Sequence, residues 1–442
     1  MLSRRQFITT AATATAAALA PRDLLAALQQ RTAALPDLSD WNAVRTQFAV
    51  DKTYLHFSSF FIASHPKPVR DAIEDYRKTL DANPYLTVDH RMFTDKDNLQ
   101  LKIRDDLSGY LGAQRDEIAI TGNTTTGLAL VYNGLRLEPG DEILTTTHDH
   151  YSHHESIRFT AERQGATSRR IALYDRASEA SASQMVDRLR AALKPETRVV
   201  GLTWVHSGTG VRLPIPTLAQ VVKDANRGRD EKRRILLVVD GVHGLGCVDA
   251  KAAELGADYF CAGTHKWMFA PRGTGIVWAK TDRWALLRPT IPTFATLEAW
   301  NWWMNGETKP RTMTSYDITP GGFHAYEHQW AMSAAFRFHE TIGRPRIAAR
   351  IRALNDQLKS GLASIKSVRL HTPRDPELSA GICCFEVDGV KSDEVVNQLL
   401  AKKIIASASP YKESYARLAP SLLNDPAEVD TALRAVRRIA GA

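Results

Sequence analysis

Two short stretches decide the fold: Val238–His243, which reads VVDGVH, and Gly263–Trp267, which reads GTHKW. In each stretch an apolar run, typical of a buried strand, ends in polar residues. Ligands bind outside the carboxyl ends of the strands in open α/β sheets, so we expect both polar ends to line one crevice. Asp240 and Lys266 belong to these ends, and the sequence therefore predicts an acid and a lysine in one site.

That pair suits pyridoxal 5′-phosphate (PLP). The cofactor needs a lysine for its Schiff base and an acid opposite its pyridine nitrogen. The acid keeps the nitrogen protonated, so the ring can accept electrons released at the substrate Cα. We therefore predict that Lys266 and Asp240 bind PLP and act in catalysis.

Around these stretches, apolar strand patterns alternate with helical patterns from about residue 100 to residue 280. Such alternation is typical of an α/β fold with a mostly parallel sheet buried on both faces. Strands are predicted at Glu117–Thr121, Glu142–Thr146, Arg198–Val205, Ile235–Asp240, Tyr259–Gly263 and Thr274–Ala279. Helices are predicted at Thr125–Leu135, His154–Gln164, Ala182–Leu193 and Pro216–Asn226.

The chain divides into four predicted parts. Residues 1–20 are a signal peptide and residues 21–45 a linker or lead-in segment. Residues 46–315 form a large PLP-binding domain. Residues 316–442 form a smaller α+β domain, to which part of the N-terminal segment contributes.

The first residues predict export. Ser3–Ile8 reads SRRQFI and resembles the twin-arginine signal, followed by an Ala-rich apolar stretch and a small-x-small cleavage signal ending at Ala20. We expect the twin-arginine machinery to export the chain, cleavage near Ala20 and a periplasmic mature protein. The alternative is a membrane anchor, but this stretch is too short and too rich in small residues to span well, and no later apolar run is long enough.

Composition excludes some partners. The chain has 442 residues, 44% of them hydrophobic, and a formal charge of +8; removing residues 1–20 takes away Arg4 and Arg5 and no acid, which leaves +6. The dense basic cluster from Lys223 to Arg234 is interrupted by acids and is typical of a solvated loop, so no nucleic-acid partner is expected. The four cysteines lack metal-site spacing, and whether Cys383 and Cys384 form a disulfide stays open.

The run from Asp240 through Lys266 to Pro271–Gly275 (PRGTG) resembles the signature of the class V aminotransferase superfamily, whose members are PLP enzymes of fold type I. The superfamily includes cysteine desulfurases, kynureninase and isopenicillin N epimerase, and the His-Lys-Trp variant is most similar to the epimerase branch. The resemblance implies fold type I, PLP on Lys266 and a homodimer with active sites at the subunit boundary.

A phosphate site is predicted in Thr121–Gly127, which reads TGNTTTG, where a strand ends and a helix opens. Exposed backbone N–H groups at such a helix start suit a phosphate. The resemblance implies that Thr124 and Thr125 hold it. The alternative, an ordinary helix cap, needs only one such residue.

The resemblance implies further cofactor contacts. His150 would stack on the pyridine ring, with Tyr151 as the alternative. His243 would lie near the phenolic oxygen and His265 near the phosphate. Three further positions depart from the family pattern but keep a hydroxyl that can serve: Ser207, Thr264, which stands next to a glycine where relatives have a phosphate ligand, and Ser315, which would reach phosphate across the dimer.

A group of histidines makes a metal site an alternative to the cofactor contacts. His148, His150, His153 and His154 fall within seven residues, and zinc binds histidine. No matched carboxylate or cysteine spacing accompanies them, so we expect no metal. The roles of His148, His153 and His154 stay open, as do those of His324, Glu327 and His328, which can tune specificity or cap a helix.

Near the C-terminus, Arg417 lies in a segment similar to the family element whose arginine binds the substrate α-carboxylate. A guanidinium suits a carboxylate because it can donate two parallel hydrogen bonds. The alternative is a surface arginine paired with a helix acid. We expect Arg417 to bind the substrate.

The sequence permits several PLP reactions and argues against one of them. Lys266, once displaced by the substrate amine, would act as a base at Cα, which permits epimerisation, transamination or elimination. Cysteine desulfurases need a mobile cysteine upstream of the Arg417 element, and residues 404–415 contain none. We expect an enzyme acting on an amino acid or on a metabolite that bears one, such as a siderophore peptide. The alternatives are a C–S or C–N lyase and a noncatalytic PLP-fold binding protein.

Overall fold

A computed structural model of the chain describes residues 37–93, 97–294, 304–306 and 313–441. The predicted export signal, its cleavage position near Ala20 and most of the lead-in segment lie outside the described residues. Among the helices that are described, none is long and apolar enough to cross a membrane.

The described strands and helices alternate through the first two-thirds of the chain. The strands are β1 (Leu55–His56), β2 (Ile118–Thr121), β3 (Glu142–Thr146), β4 (Thr167–Ile171), β5 (Thr197–Thr203), β6 (Leu236–Asp240), β7 (Tyr259–Gly263), β8 (Gly275–Ala279), β9 (Val368–Leu370), β10 (Cys383–Val387), β11 (Ile404–Ile405), β12 (Ser407–Ala408) and β13 (Ala416–Leu418). The helices are α1 (Trp41–Thr46), α2 (Lys67–Ala82), α3 (Pro84–Phe93), α4 (Leu99–Leu111), α5 (Thr124–Gly134), α6 (Tyr151–Gln164), α7 (Ala182–Ala192), α8 (Ile215–Ala225), α9 (Ser315–Ile318), α10 (Tyr326–Trp330), α11 (Met332–Ile342), α12 (Arg344–Ala363), α13 (Ser392–Ala401) and α14 (Pro426–Ile439).

A seven-stranded sheet in the order β2-β8-β7-β6-β5-β3-β4 forms the centre. Strands β7, β6, β5, β3 and β4 pair in parallel, whereas β8 runs antiparallel to both of its neighbours. Every residue of β7 and β8 is buried, as expected for strands covered on both faces. The predicted α/β class with a mostly parallel sheet is confirmed.

A second, smaller sheet follows in the order β12-β13-β10-β9, with antiparallel pairing throughout. Apolar residues of this sheet and of α12, α13 and α14 form a separate core. The early strand β1 pairs in parallel with β11, with Leu55 opposite Ile404, so a segment that precedes the large sheet packs with the C-terminal one. The domain limits at residues 46, 315 and 316 stay a prediction.

The basic cluster between α8 and β6 has structural contacts. Arg229 donates to the carbonyl oxygens of Lys194 at 2.7 Å and Thr197 at 3.1 Å, and so connects the segment after α7 to the first residue of β5. Arg233 pairs with Asp141 at 2.8 Å. Both guanidinium groups contact other segments of the same chain, which agrees with the prediction that this basic cluster is a loop.

Candidate active site

Asp240 and Lys266 come together because their strands are neighbours. Asp240 is the last residue of β6 and pairs with Cys261 of β7, and Lys266 follows three residues after β7 ends. Asp240 is 2% exposed, and its Oδ1 accepts a hydrogen bond from the Val242 amide at 3.1 Å. Burial raises the pKa of Asp240 to about 7, although the charge of Lys266 works against that rise. A cationic partner at this carboxylate would stabilise its charged form.

Lys266 has the properties of a reactive amine. Burial, assisted by the charge of Arg417, lowers its pKa to about 8, while Asp240 opposes the change. Its Nζ lies 3.3 Å from Nε2 of His243. A lysine with such a pKa is neutral for a larger fraction of the time near pH 7, which a Schiff-base nucleophile and a proton-accepting base both require.

His243 is oriented by a tryptophan. Nε1 of Trp267 donates to its Nδ1 at 3.4 Å, so Nε2 of the imidazole faces Lys266. Burial lowers the pKa of His243 well below its ordinary value, which keeps the ring neutral. Phe60 packs at 5.8 Å between ring centroids. The histidine is thus held beside the lysine without adding a second positive charge.

The predicted phosphate end forms where α5 begins. Asn123 caps the helix by accepting from the Thr126 amide at 2.9 Å, and the buried Thr124 hydroxyl accepts from the Gly263 amide at 2.7 Å. Thr125 is exposed at the same helix start. Nδ1 of His265 is buried and has no hydrogen-bond partner among the described residues. A phosphate oxygen would satisfy that nitrogen and suit the helix N-terminus, so these residues fit the cofactor.

Two predicted phosphate contacts are less accessible. The Thr264 side chain is fully buried, and its hydroxyl lies 2.6 Å from that of Thr274. Ser315 opens α9, is fully buried within its own chain, and its hydroxyl lacks a partner in the part of the chain that is described. The roles of Thr264 and Ser315 stay predictions, and the burial of Ser315 does not favour a reach across a dimer.

His150 stands at the start of α6 rather than inside it. Its Nδ1 accepts from the Ser152 amide at 3.2 Å, which caps the helix. Burial, assisted by the charge of Lys266, lowers the pKa of His150 to about 4, so the ring is neutral and close to the lysine. Tyr151, the alternative stacking residue, is 63% exposed. Stacking of His150 on the cofactor ring stays a prediction.

Arg417 is a buried cation without an acidic partner among the described residues. It is 4% exposed and donates to the carbonyl oxygens of Ser207 at 3.0 Å and Ala408 at 2.8 Å, and to the Ser407 hydroxyl at 3.2 Å. Its guanidinium lies 4.9 Å from the ring centroid of Phe60. Three of the five N–H groups are used, so two remain for an anion. A buried, unpaired charge is costly, and a bound carboxylate would offset that cost.

A buried polar network behind Asp240 was missed in the sequence. Asp149 accepts from the Thr145 hydroxyl at 2.7 Å and from the Thr203 amide at 2.9 Å. Burial alone would raise the pKa of Asp149. The neighbouring His153 and His206, together with these hydrogen bonds, outweigh burial and lower that pKa to about 2. Thr203 pairs with Asp240 across β5 and β6, so an ionised carboxylate lies one strand away from the cofactor acid.

The histidine cluster belongs to this network. His148 stacks on Tyr174 at 3.8 Å, His153 accepts or donates at 2.7 Å with Tyr132, and His154 bonds to the Thr146 carbonyl at 2.7 Å. Across the described ranges, no three of the His, Cys, Asp and Glu side chains are grouped to hold a metal ion. The interactions of these histidines are those of packed, hydrogen-bonded rings.

The polar group after Gly322 lies at the surface. His324 is exposed, and Nδ1 of His328 bonds at 3.0 Å to the carbonyl of Arg272, which lies in the turn after Lys266. Glu327 is in the first turn of α10. This contact supports the turn, and a role in specificity stays open.

The profile of the family described as aminotransferase class-V matches residues 62–410. The chain belongs to this family. Membership, together with the lysine, the buried acid and the phosphate end, indicates PLP as the cofactor. Lys266, Asp240 and Thr124 are the residues best placed to hold it.

Relatives of more than one activity are similar to the chain. It is 26% identical to isopenicillin N epimerase of Streptomyces clavuligerus over 357 residues, which cover 79% of this chain and 85% of that protein. It is 24% identical to a probable cysteine desulfurase of Pyrococcus abyssi over 371 residues, which cover 82% and 86% respectively.

Solved structures share the fold. C-DES, in a form with glycine covalently linked to its PLP cofactor, gives a TM-score of 0.77 at 22% identity, covering 90% of this chain and 98% of that one. The cysteine desulfurase of Thermococcus onnurineus NA1 gives 0.75 at 20% identity with the same coverage. The predicted fold type I is confirmed.

Proposed function

We propose that the chain is a PLP-dependent enzyme that moves the Cα proton of an amino acid, or of a metabolite bearing one with a free α-carboxylate, in the manner of an epimerase. The observation that carries the proposal is the set of charges: an amine with lowered pKa at Lys266, a buried acid at Asp240 and the unpaired, buried Arg417. Similarity to isopenicillin N epimerase supports epimerisation over the other outcomes. Transamination is the second candidate that Lys266 permits.

Each residue has one role in this proposal. Arg417 binds the α-carboxylate with its two remaining N–H groups, which fixes the position of the substrate Cα. Bound PLP supplies an electron sink for the electrons released at Cα. Asp240 would lie opposite the pyridine nitrogen and keep it protonated. Lys266 takes the Cα proton from the face on which it lies; return of a proton to that face restores the starting configuration, and epimerisation requires a solvent-derived proton to reach Cα from the opposite face. Neutral His243 and His150 add no charge that would compete for the carboxylate.

A desulfurase reaction is not part of the proposal, because no cysteine lies in position for it. All four cysteines of the chain, Cys247, Cys261, Cys383 and Cys384, are free and buried. Cys384 pairs with Arg417 across β10 and β13, but it is fully buried and burial raises its pKa to about 12. A thiol in this state is a poor nucleophile. A noncatalytic role is disfavoured by the retained Lys266.

The experiment is Cα–H exchange in D₂O, followed by proton NMR on L and D forms of a panel of free amino acids and of C-terminal amino acids in short peptides. Conversion of one form into the other with solvent deuterium at Cα supports epimerisation, and formation of a keto acid supports transamination. Sulfide released from cysteine without exchange of other substrates would contradict the proposal and support a desulfurase or C–S lyase.

We further propose export by the twin-arginine route to the periplasm, and a homodimer. The export proposal depends on Ser3–Ile8 and Ala20, and a siderophore peptide is a substrate class compatible with it. The dimer proposal depends on the similarity to the class V family. Fractionation of cells expressing the Arg4→Lys, Arg5→Lys chain should show cytoplasmic retention, and light scattering should give twice the monomer mass.

A further inference from the structure

Tyr411 belongs to the segment 404–415, which contains no cysteine. The loop, residues 409–415, connects β12 to β13, the strands that carry Ala408 and Arg417. Its base is closed by the Ser409 amide donating to the Tyr415 carbonyl at 2.9 Å and by the Ser414 hydroxyl donating to the Ser409 carbonyl at 2.7 Å. The tip therefore projects from the small sheet as a defined turn rather than as a loose connection.

The tip contacts the large domain through Tyr411. Its phenol oxygen lies 2.6 Å from the Ser207 hydroxyl, a contact between residues 204 positions apart. Its ring lies against Gly208, where a Cβ would approach the ring carbons at 2.9 and 3.0 Å. The edge of the ring also meets His150, with centroids 6.2 Å apart and planes at 88°. Gly208 thus leaves the space that the phenol ring occupies.

These contacts put Tyr411 at the substrate end of the site. The Ser207 carbonyl accepts from Arg417, so the arginine and the phenol bind the same residue from two directions. A substrate with its carboxylate on Arg417 and its amino group near Lys266 must direct its third Cα substituent into the space that is left. The ring of Tyr411 contacts Ser207 and His150 and lies within electrostatic range of Arg417, beside the position that such a substrate would take.

We propose that Tyr411 is a specificity-determining residue that limits the side chain of the substrate and latches the 409–415 loop over the site through Ser207. The inference rests on the proposed function, because the proposed function assigns the position of the substrate. The phenol ring occupies space that a bulky substrate side chain would need, and the phenol hydroxyl holds the loop in place. The two parts separate experimentally, because Tyr411→Phe removes the hydroxyl alone and Tyr411→Ala removes both.

The test of size selection uses two aminooxy acids that capture the cofactor aldehyde and change its absorbance. Aminooxyacetate has no side chain, whereas 2-aminooxy-3-phenylpropionate has a benzyl group at the equivalent of Cα. Tyr411→Ala should raise the capture rate of the second probe relative to the first at least tenfold over the unmodified enzyme, and Tyr411→Phe should leave the ratio within twofold. An unchanged ratio in Tyr411→Ala would overturn the size limit.

The latch has a readout that needs no substrate. Trypsin cleavage after the exposed Lys412, followed by mass spectrometry on the full chain, reports opening of the loop. Tyr411→Phe should accelerate that cleavage about 3- to 10-fold, as expected for one lost hydrogen bond. Tyr415→Phe is the matched control, because its phenol bonds to Glu413 in the same loop and not to Ser207. Equal acceleration in both variants would overturn the latch.

The two failures are distinguishable. If the unmodified enzyme shows no absorbance change with either aminooxy acid, the proposed function is wrong, and the cleavage rates still decide whether Tyr411 holds the loop. If both probes react and neither Tyr411 variant differs from the unmodified enzyme in ratio or cleavage, the cofactor chemistry stands and the inference about Tyr411 fails.

Discussion

At the scale of single residues, the proposal that the site binds a carboxylate rests on Arg417. The chain buries this guanidinium, orients it with hydrogen bonds to Ser207, Ser407 and Ala408, and supplies no acid to it within the described residues. Burial lowers the pKa of Arg417, and a guanidinium stays protonated in proteins. The charge is therefore present and selects for an anionic ligand.

We predict that Arg417→Lys weakens carboxylate ligands about 10- to 100-fold, because lysine cannot donate the two parallel hydrogen bonds. The measurement is an absorbance titration with aminooxyacetate, compared with methoxyamine, which has the same reactive group and no carboxylate. Only the first should be affected. The exposed Arg434→Lys serves as the control variant. An equal loss with both probes would show that Arg417 supports the cofactor or the fold instead.

At the scale of elements, β5 shows how closely the polar network packs against the sheet. Gly201 lies in this strand, and a Cβ there would meet the Tyr132 hydroxyl at 2.3 Å and Nε2 of His153 at 2.9 Å. Those two groups are hydrogen-bonded to each other at 2.7 Å. The strand can approach α5 and α6 only because this position lacks a side chain.

Gly201→Ala should therefore destabilise the protein by about 1–3 kcal/mol, as overpacking of a filled core does. Urea unfolding followed by tryptophan fluorescence measures the loss. Gly109→Ala is the matched control: it lies in α4 with its nearest neighbour atom at 3.7 Å, and should be neutral or stabilising because alanine favours helix. If Gly201→Ala unfolds at the same urea concentration as Gly109→Ala, the packing interpretation is wrong.

The elements also show what the sequence could predict. The bounds of β3 and β7 match the predicted strands, and every residue of both strands is buried. Strand β4 was missed, since it is an edge strand whose residues, TSRRI, are mostly exposed and carry no apolar pattern. The pattern of apolar residues in a sequence indicates which segments are buried. An exposed strand such as β4 is therefore not detected.

The same limit applies to the site. Asp240 and Lys266 were predictable because each follows a buried strand, and strand ends collect at one edge of a sheet. The contact of Asp149 with Thr203 and that of Tyr411 with Ser207 were not predictable, because these partners lie far away in the sequence. Only the packing of α6 against β5, and of the 409–415 loop across the domains, brings these groups to the site.

At the scale of the whole molecule, buried neutral histidines make stability depend on pH. Burial lowers the pKa of His148 and His153 to about 4 and that of His206 to about 3, from an ordinary value near 6.5. Between those values the unfolded chain binds more protons than the folded one, so stability falls as pH falls. Asp240 acts in the opposite direction, because its pKa is raised to about 7 and its folded form holds a proton that the unfolded chain releases.

We predict that the free energy of unfolding decreases as pH is lowered from 6.5 to about 4, by on the order of 2 kcal/mol at pH 5 for each of His148 and His153. Urea unfolding at pH 7.5, 6.5 and 5.5 measures this dependence. His153→Gln should give a shallower dependence, whereas the exposed His324→Gln should leave it unchanged. A pH dependence that is equal in His153→Gln and in the unmodified protein would contradict a neutral His153 in the folded protein.

Covalent binding of the cofactor at Lys266 is tested by an absorbance spectrum of the purified protein, before and after borohydride, together with the Lys266→Ala and Lys280→Ala variants. A band near ~420 nm that borohydride removes, absent from Lys266→Ala and retained in Lys280→Ala at an exposed lysine, is the predicted result for a cofactor bound covalently at Lys266. No band in the presence of added PLP, or a band that persists in Lys266→Ala, would contradict the assignment of this lysine and the residue roles that depend on it.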